Sequence, residues 1–205
     1  AGLDPVHAAP LADAGITPYR AVRRAEPWLL PGARVLVIGA GGLGQFALQY
    51  LRLLPAAGPE LTIGVSELSA DRVERARGLG ADVGLVHGSA DAWRNALDGP
   101  ADVVLDLVGS DATLALGAAT LTADGLLVLV GEAGGSAAFG FDRVPIESWL
   151  TTVAWGSHAD LRDVVRLAEE GSLRWDVEAS PLADASAAHA RLRAGDVPGR
   201  LVLVP

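Results

Sequence analysis

The sequence predicts an open α/β fold, a doubly wound parallel sheet with helices on both faces, and three observations predict it. Short unbroken apolar runs alternate with segments whose apolar residues recur at three-to-four spacing, the pattern of strands buried on both faces and joined by amphipathic helices. The alternation repeats along the chain, and repeated βαβ units build a parallel sheet. Half of the 205 residues are hydrophobic and a fifth are charged, a composition that supports a sizeable core.

Taken in order, Pro5 to Arg24 reads as a loop entering a helix. Asp13 is placed to cap the N-terminus of a helix from Ala14 to Arg24, since an Asp oxygen accepts from free N–H groups there. Strands are expected at Val35 to Ile38, Leu61 to Val65, Val83 to Val86, Val103 to Leu107 and Leu126 to Val130. Between them, Leu43 to Leu53 and Ala70 to Leu79 have helical spacing. Asp111 to Leu121 has it less clearly, with Asp111 at the N-cap position. A further helix spans Leu161 to Glu170 and ends at Gly171, a residue suited to a left-handed cap. A strand near Trp175 to Ala179, a helix from Asp184 to Arg193 and a last strand from Leu201 to Val204 complete the chain. There is no internal repeat and no low-complexity segment.

The balance of charge narrows the partners. A net charge of −9 opposes a phosphate backbone, because nonspecific nucleic-acid affinity comes from Lys and Arg releasing counterions. Nucleic acid is not an expected partner. The absence of cysteine removes disulfides, thiolate metal sites and thiol nucleophiles from this stretch of chain. The longest uncharged stretch, Val35 to Leu51, is shorter than a membrane span and contains Gln45, Gln49 and four glycines. No membrane segment and no signal-peptide core are expected, and the expected location is cytoplasmic. The chain starts Ala1-Gly2-Leu3-Asp4 and contains no Met, so it is expected to be processed or part of something longer.

The most informative stretch is Val35-Leu36-Val37-Ile38-Gly39-Ala40-Gly41-Gly42-Leu43-Gly44, a buried strand running through G-x-G-x-x-G into a helix. Gly39 permits the tight turn, Gly41 lets backbone approach a pyrophosphate, and Gly44 allows close helix–strand contact. The pyrophosphate is expected on the free N–H groups of the helix starting near Gly42, where the macrodipole also favours an anion. A Rossmann-type dinucleotide site further requires a carboxylate about 20 residues on, at the end of the next strand. Glu67 lies 23 residues beyond Gly44. Its charge favours the ribose hydroxyls of NAD and repels the 2′-phosphate of NADP. The alternative is a solvated helix-entry residue beside Ser66, Ser69 and Asp71. Nearby Arg72 pulls the other way, since a guanidinium accommodates a phosphate.

These residues resemble the medium-chain dehydrogenase/reductase superfamily, and within it the zinc-type, NAD-dependent secondary alcohol dehydrogenases. The resemblance is carried by Pro10-Leu11-Ala12-Asp13-Ala14-Gly15-Ile16-Thr17-Pro18-Tyr19, the turn Gly39 to Gly44, Leu79-Gly80-Ala81, Val104-Leu105-Asp106-Leu107-Val108-Gly109, Leu129-Val130-Gly131 and Gly199-Arg200-Leu201-Val202. It implies that residues 27–171 form the cofactor domain, that 1–26 belong partly to a catalytic domain, and that 172–205 return to it. It also implies zinc and a homo-oligomer. The family's zinc takes a Cys and a His from the preceding domain, for which nothing here corresponds, and a third ligand that the motif places at Asp13. A catalytic zinc needs three protein ligands and an open position, so Asp13 alone does not hold it.

The resemblance further implies that Thr17, four residues on from Asp13 and on the same helix face, stands beside the nicotinamide. An ordinary helix threonine is the alternative. Val108 and Gly109 at one strand end, and Val130, Gly131 and Glu132 at the next, are implied to touch the cofactor through backbone, or else simply form turns. Arg200 is implied to approach the cofactor phosphates, or else flanks an edge strand. His7, His87, His158 and His189 lack metal spacing and read as surface or packed residues. Asp102 and Asp106 read as solvated strand ends, with a general acid/base pair as the alternative, and Trp149 and Trp155, near an edge strand, as packing a core or an interface. The expected activity is hydride transfer between NAD and a secondary alcohol or ketone. The alternatives are a zinc-free quinone or enoyl reductase of the same superfamily and a non-catalytic nucleotide-binding module.

Overall fold

The computed structural model describes residues 2–197 and 199–205. The chain enters through a short turn of helix, α1 (Pro5–Ala8), a 3-10 turn (Ala9–Ala12) and α2 (Ile16–Ala25). Six strands follow: β1 (Arg34–Ile38), β2 (Thr62–Glu67), β3 (Val83–Val86), β4 (Ala101–Asp106), β5 (Leu121–Leu129) and β6 (Trp149–Thr152). The helices between them are α3 (Gly44–Leu53), α4 (Ala70–Gly78), α5 (Ala90–Ala96) and α6 (Asp111–Thr120). The strands form one sheet in the order β3-β2-β1-β4-β5-β6, and every neighbouring pair is parallel. After β6 come α7 (His158–Glu169), β7 (Val177–Pro181), α8 (Ala185–Ala194) and β8 (Arg200–Val204), with β7 and β8 paired in a separate parallel ribbon.

Alternation along β1 explains the two faces, because successive strand residues point to opposite sides. Val35 and Val37 pack with Ile63, Val65, Val103 and Leu105 against α2, α3 and α7, through Val22, Phe46, Tyr50 and Val164. Leu36 and Ile38 pack with Val104 and Leu127 against Trp93 of α5 and Leu114 of α6 on the other side. The doubly wound parallel sheet expected from sequence is the fold observed. Among the described residues no helix is long and apolar enough to cross a membrane.

Several local expectations are corrected. Asp13 does not cap α2: that helix starts at Ile16 after Gly15, with no side-chain cap, because the 3-10 turn takes up the segment before it and the Asp13 backbone lies outside helical space. Ser110, not Asp111, caps α6. Its hydroxyl accepts from the Thr113 N–H while the Thr113 hydroxyl accepts from the Ser110 N–H, a reciprocal box that leaves Asp111 inside the helix. Strand β5 begins five residues before the apolar run, because pairing jumps from Ala101↔Leu121 to Val103↔Leu126 across an excursion that includes Asp124 at φ +57°. The helix α5 was not anticipated. It has seven residues, too few to show periodicity, and is held by the Ser89 cap and buried Trp93.

Candidate functional site

The site starts where β1 ends. Gly39 takes φ +90°, a backbone region that L-residues avoid, and its N–H donates to the Ser66 carbonyl on β2 at 3.0 Å. The chain then folds so tightly into α3 that a Cβ on Gly44 would stand 2.2 Å from the Gly39 carbonyl oxygen. Gly41, by contrast, has nothing within 4 Å of where its Cβ would be. The N–H groups of Gly41, Gly42 and Leu43 find no backbone acceptor among the described residues. Free donors at a helix start, facing open space, suit an anion.

The open space is a cleft of about 640 Å³ at the carboxyl ends of β1, β2 and β4, where the strand order reverses and doubly wound folds bind ligands. One wall is the turn itself, with Gly39, Gly41, Gly42, Leu43 and Gly44 in the lining. Glu67, at the end of β2, forms the floor and is buried. Its Oε1 accepts from the Ala40 N–H at 2.5 Å and its Oε2 from the Leu68 N–H at 2.9 Å, so the carboxylate is pinned to the turn and is not a solvated helix-entry residue. Arg72 also lines the cleft; its guanidinium lies 3.8 Å from Glu67 and donates to the Gly195 carbonyl at 3.0 Å. Val108, Ser110, Thr113, His87 and Gly88 complete the lining.

The ends of β4 and β5 are built differently. Asp106 is fully buried, and its Oδ1 accepts from the N–H groups of Val108 and Gly109, both at 2.9 Å. That corrects its reading as a solvated strand end; its backbone carbonyl also accepts from Val130 and Gly131. Asp102 is likewise engaged, accepting from the Arg34 N–H at 2.7 Å. A Cβ on Gly109 would meet the Gly131 carbonyl oxygen at 2.0 Å, and one on Gly131 would meet the Val108 carbonyl carbon at 2.1 Å. These glycines let two strand ends touch. Of this group only Val108 reaches the cleft; Gly109, Val130, Gly131 and Glu132 are outside its lining.

Thr17 is buried in α2 and also lies outside the cleft lining. Its N–H donates to the Asp13 carbonyl at 3.2 Å, but Asp13 precedes the helix, so the two do not share a helix face. The Asp13 carboxylate pairs with Arg200, Nη2 to Oδ2 at 2.5 Å. Among the described residues no group of three or more His, Cys, Asp or Glu side chains is arranged to hold a metal ion. The residues present therefore fit a dinucleotide and do not by themselves fit zinc.

Sequence reasoning missed five contributors. His87 takes φ +53° at the end of β3 and lines the cleft; its place after an apolar run was the signal. Ser110 and Thr113 join the lining through the unrecognised capping box. Gln45 and Gln49, polar residues on the buried helix α3, reach the C-terminal segment: Gln45 Oε1 accepts from the Asp176 N–H at 2.7 Å and Gln49 Oε1 from the Arg174 N–H at 2.8 Å.

Comparison with known proteins finds relatives among the dehydrogenases. The model of a family described as zinc-binding dehydrogenase matches residues 79–203. The chain is 37% identical to D-arabinose 1-dehydrogenase (NADP(+)) of Saccharolobus solfataricus, over 99% of this chain and 59% of that protein. It is 33% identical to an NAD-dependent alcohol dehydrogenase of the same organism, again over 99% of this chain and 59% of the relative. Among solved structures, the alcohol dehydrogenase of Aeropyrum pernix matches with a TM-score of 0.87 at 33% identity, covering 96% of this chain and 57% of that one. The chain thus spans about three fifths of the length of the curated relatives it matches.

Proposed function

The chain belongs to the zinc-binding dehydrogenase family, and we propose that it is the dinucleotide-binding part of an oxidoreductase that moves a hydride between NAD and a secondary alcohol or ketone. The observation that carries this reading is the cleft in which an open Gly41, unpaired N–H groups at the start of α3 and the buried Glu67 carboxylate converge. Bound NAD would supply the hydride acceptor or donor. The chain's own residues bind and orient it. The start of α3 takes the pyrophosphate, Glu67 accepts from the ribose hydroxyls, Arg200 approaches the phosphates, and Val108 with Ser110 confines the other side.

Glu67 also sets the preference. A carboxylate pinned at both oxygens cannot swing away from a 2′-phosphate, and the Arg72 guanidinium beside it is drawn toward Glu67 and the Gly195 carbonyl. NAD is therefore favoured over NADP, although one relative is an NADP(+) enzyme. Zinc belongs to ligands beyond those described here, and the chemistry assigned to this chain is cofactor binding and positioning. Phe141, Ile146, Trp149 and Trp155 are exposed beside the edge strand β6, which supports a homo-oligomer.

Titrating the chain with NADH and NADPH, read by energy transfer from tryptophan to the nicotinamide, tests the proposal. Saturation with NADH at lower concentration than NADPH is expected. Tighter NADPH binding overturns the preference, and no saturation at millimolar dinucleotide overturns the site.

A further inference from the structure

We propose that His87 is a specificity-determining residue in the cleft, one that makes the choice between NAD and NADP depend on pH; this rests on the reading of the cleft as a dinucleotide site. His87 is the first residue after β3, whose last residue, Val86, stands opposite Glu67 in the parallel ladder. The His87 N–H donates to the Glu67 carbonyl at 3.2 Å. The next residue, Gly88, lies against the buried indole of Trp93 on α5, where a Cβ would stand 2.7 Å from Nε1. Tied to β2 on one side and seated on α5 on the other, the segment holds His87 at φ +53°, a conformation that a residue with a Cβ avoids unless its surroundings enforce it.

The backbone is thus fixed while the side chain is exposed and lines the cleft. Among the described residues no ion pair holds its ring, as one holds that of His7. The lining contains three acidic or basic side chains, Glu67, Arg72 and His87. Arg72 lies 3.8 Å from Glu67 and is partly neutralised by it. The charged groups on the helices packed around β3 are engaged with one another: Arg75 with Asp176 and Arg77 with Glu74, both at 3.6 Å, and Asp91 with Arg94 at 3.4 Å. These residues and Asp71 lie outside the lining.

Of the three residue types in the lining, histidine is the one that changes charge near neutral pH. With a neutral imidazole, a 2′-phosphate meets the Glu67 carboxylate and a single cation already drawn to it, and NAD is preferred. With an imidazolium, the same phosphate meets a second cation beside the strand end that carries Glu67, and charge-assisted hydrogen bonds become available to it. An imidazole that only packed on the adenine ring would give a different result, since its removal would weaken both cofactors alike.

The test measures dissociation constants for NAD and NADP by calorimetry at about pH 8 and about pH 6, in wild type, His87→Asn and His87→Lys, with thermal midpoints alongside. Asparagine accepts the left-handed backbone without a charge, and lysine carries its charge at both pH values. At about pH 6 the ratio of the NADP to the NAD dissociation constant is expected to be roughly three- to tenfold lower in wild type than in His87→Asn. At about pH 8 these two proteins are expected to agree, and His87→Lys is expected to show the lower ratio at both. Proton uptake by the 2′-phosphate near about pH 6, and any change at Glu67 or Arg72, is common to all three proteins and cancels between them. Equal ratios in wild type and His87→Asn at about pH 6 overturn the proposal, as does an equal loss of NAD and NADP binding in His87→Asn or undetectable NADP binding by wild type at that pH. Failure of the wild-type chain to bind NAD at either pH overturns the dinucleotide reading itself and is seen before any variant is compared.

Discussion

The sheet presents the same ingredients at two neighbouring places: glycines and a buried carboxylate at the ends of β1 and β2, and again at the ends of β4 and β5. At the first, Gly41 faces empty space and Glu67 lines the cleft. At the second, Gly109 faces the Gly131 backbone and Gly131 faces that of Val108, and Asp106 is sealed beneath the turn it supports. Both regions are rich in glycine because both need backbone close to something. In one the something is a ligand, and in the other it is more of the same chain. Even the first turn is mixed, since Gly44 is as closed as Gly131 while Gly41, three residues earlier, is open.

The largest expected effect separates these two uses. Gly131→Ala forces a methyl into the Val108 carbonyl group, and since backbone cannot rotate away as a side chain can, the loss of stability is expected to reach about 3 kcal/mol or more. Urea unfolding measures it. An unchanged midpoint would remove the distinction between closed and open glycines.

Gly41→Ala makes the complementary cut. Nothing within 4 Å meets the new methyl and Gly41 does not take a positive φ, so stability is expected to stay within about 0.5 kcal/mol of wild type. NADH affinity is expected to fall about tenfold, because the methyl occupies the space through which backbone approaches the pyrophosphate. Full NADH affinity in this variant would place the phosphates elsewhere.

A smaller effect is expected at the carboxylate. Glu67→Gln keeps the side chain's length and removes its charge, so hydrogen bonds from the ribose weaken from charge-assisted to neutral, by about 1 kcal/mol or fivefold in NADH affinity. NADPH is relieved of repulsion at the same time, and the ratio of the two dissociation constants is expected to move toward NADPH. A ratio that does not move would leave Glu67 only as a support for the Ala40 and Leu68 backbone.

How much of this was legible depended on distance along the chain. The glycine turn, Glu67 and the five apolar strands are local patterns with a fixed period or offset, and each has its counterpart in the structure, with strand ends shifted by up to five residues. That Gly109 and Gly131 are closed was not legible, because it depends on the ends of β4 and β5 meeting each other. The inward turn of Gln45 and Gln49 toward residues more than 120 positions away has no local signature, and neither does the Asp13–Arg200 pair. Local context made Asp13 a helix cap and the family motif made it a zinc ligand; in the structure the 3-10 turn before α2 takes its backbone out of helical space, and its carboxylate pairs with Arg200.

The smallest effect provides the control that the glycine comparison needs. A stability loss at Gly131 separates fold from cleft only if destabilising the molecule elsewhere leaves cofactor affinity alone. The seam between α2 and α7 is such a place: the Tyr19 hydroxyl donates to Asp163 Oδ2 at 3.0 Å, and Tyr19 is outside the cleft lining. Tyr19→Phe is expected to cost about 1 kcal/mol, a typical net hydrogen bond, with NADH affinity unchanged. The seam also carries a pH signature. Burial, and then the hydrogen bond to Asp163, push the Tyr19 hydroxyl up to about 12, so between about pH 10 and that value the unfolded chain loses a proton that the folded chain keeps. Fewer protons bound in the unfolded state means that stability falls as pH rises; the contribution is complete below the unfolded value and gone above the folded one. Phenylalanine does not titrate, so the stability gap between wild type and Tyr19→Phe is expected to narrow across that window. Urea midpoints of the two proteins at pH 8 and above pH 10 measure it, and a gap that widens would reverse the sign assigned to the Tyr19–Asp163 contact.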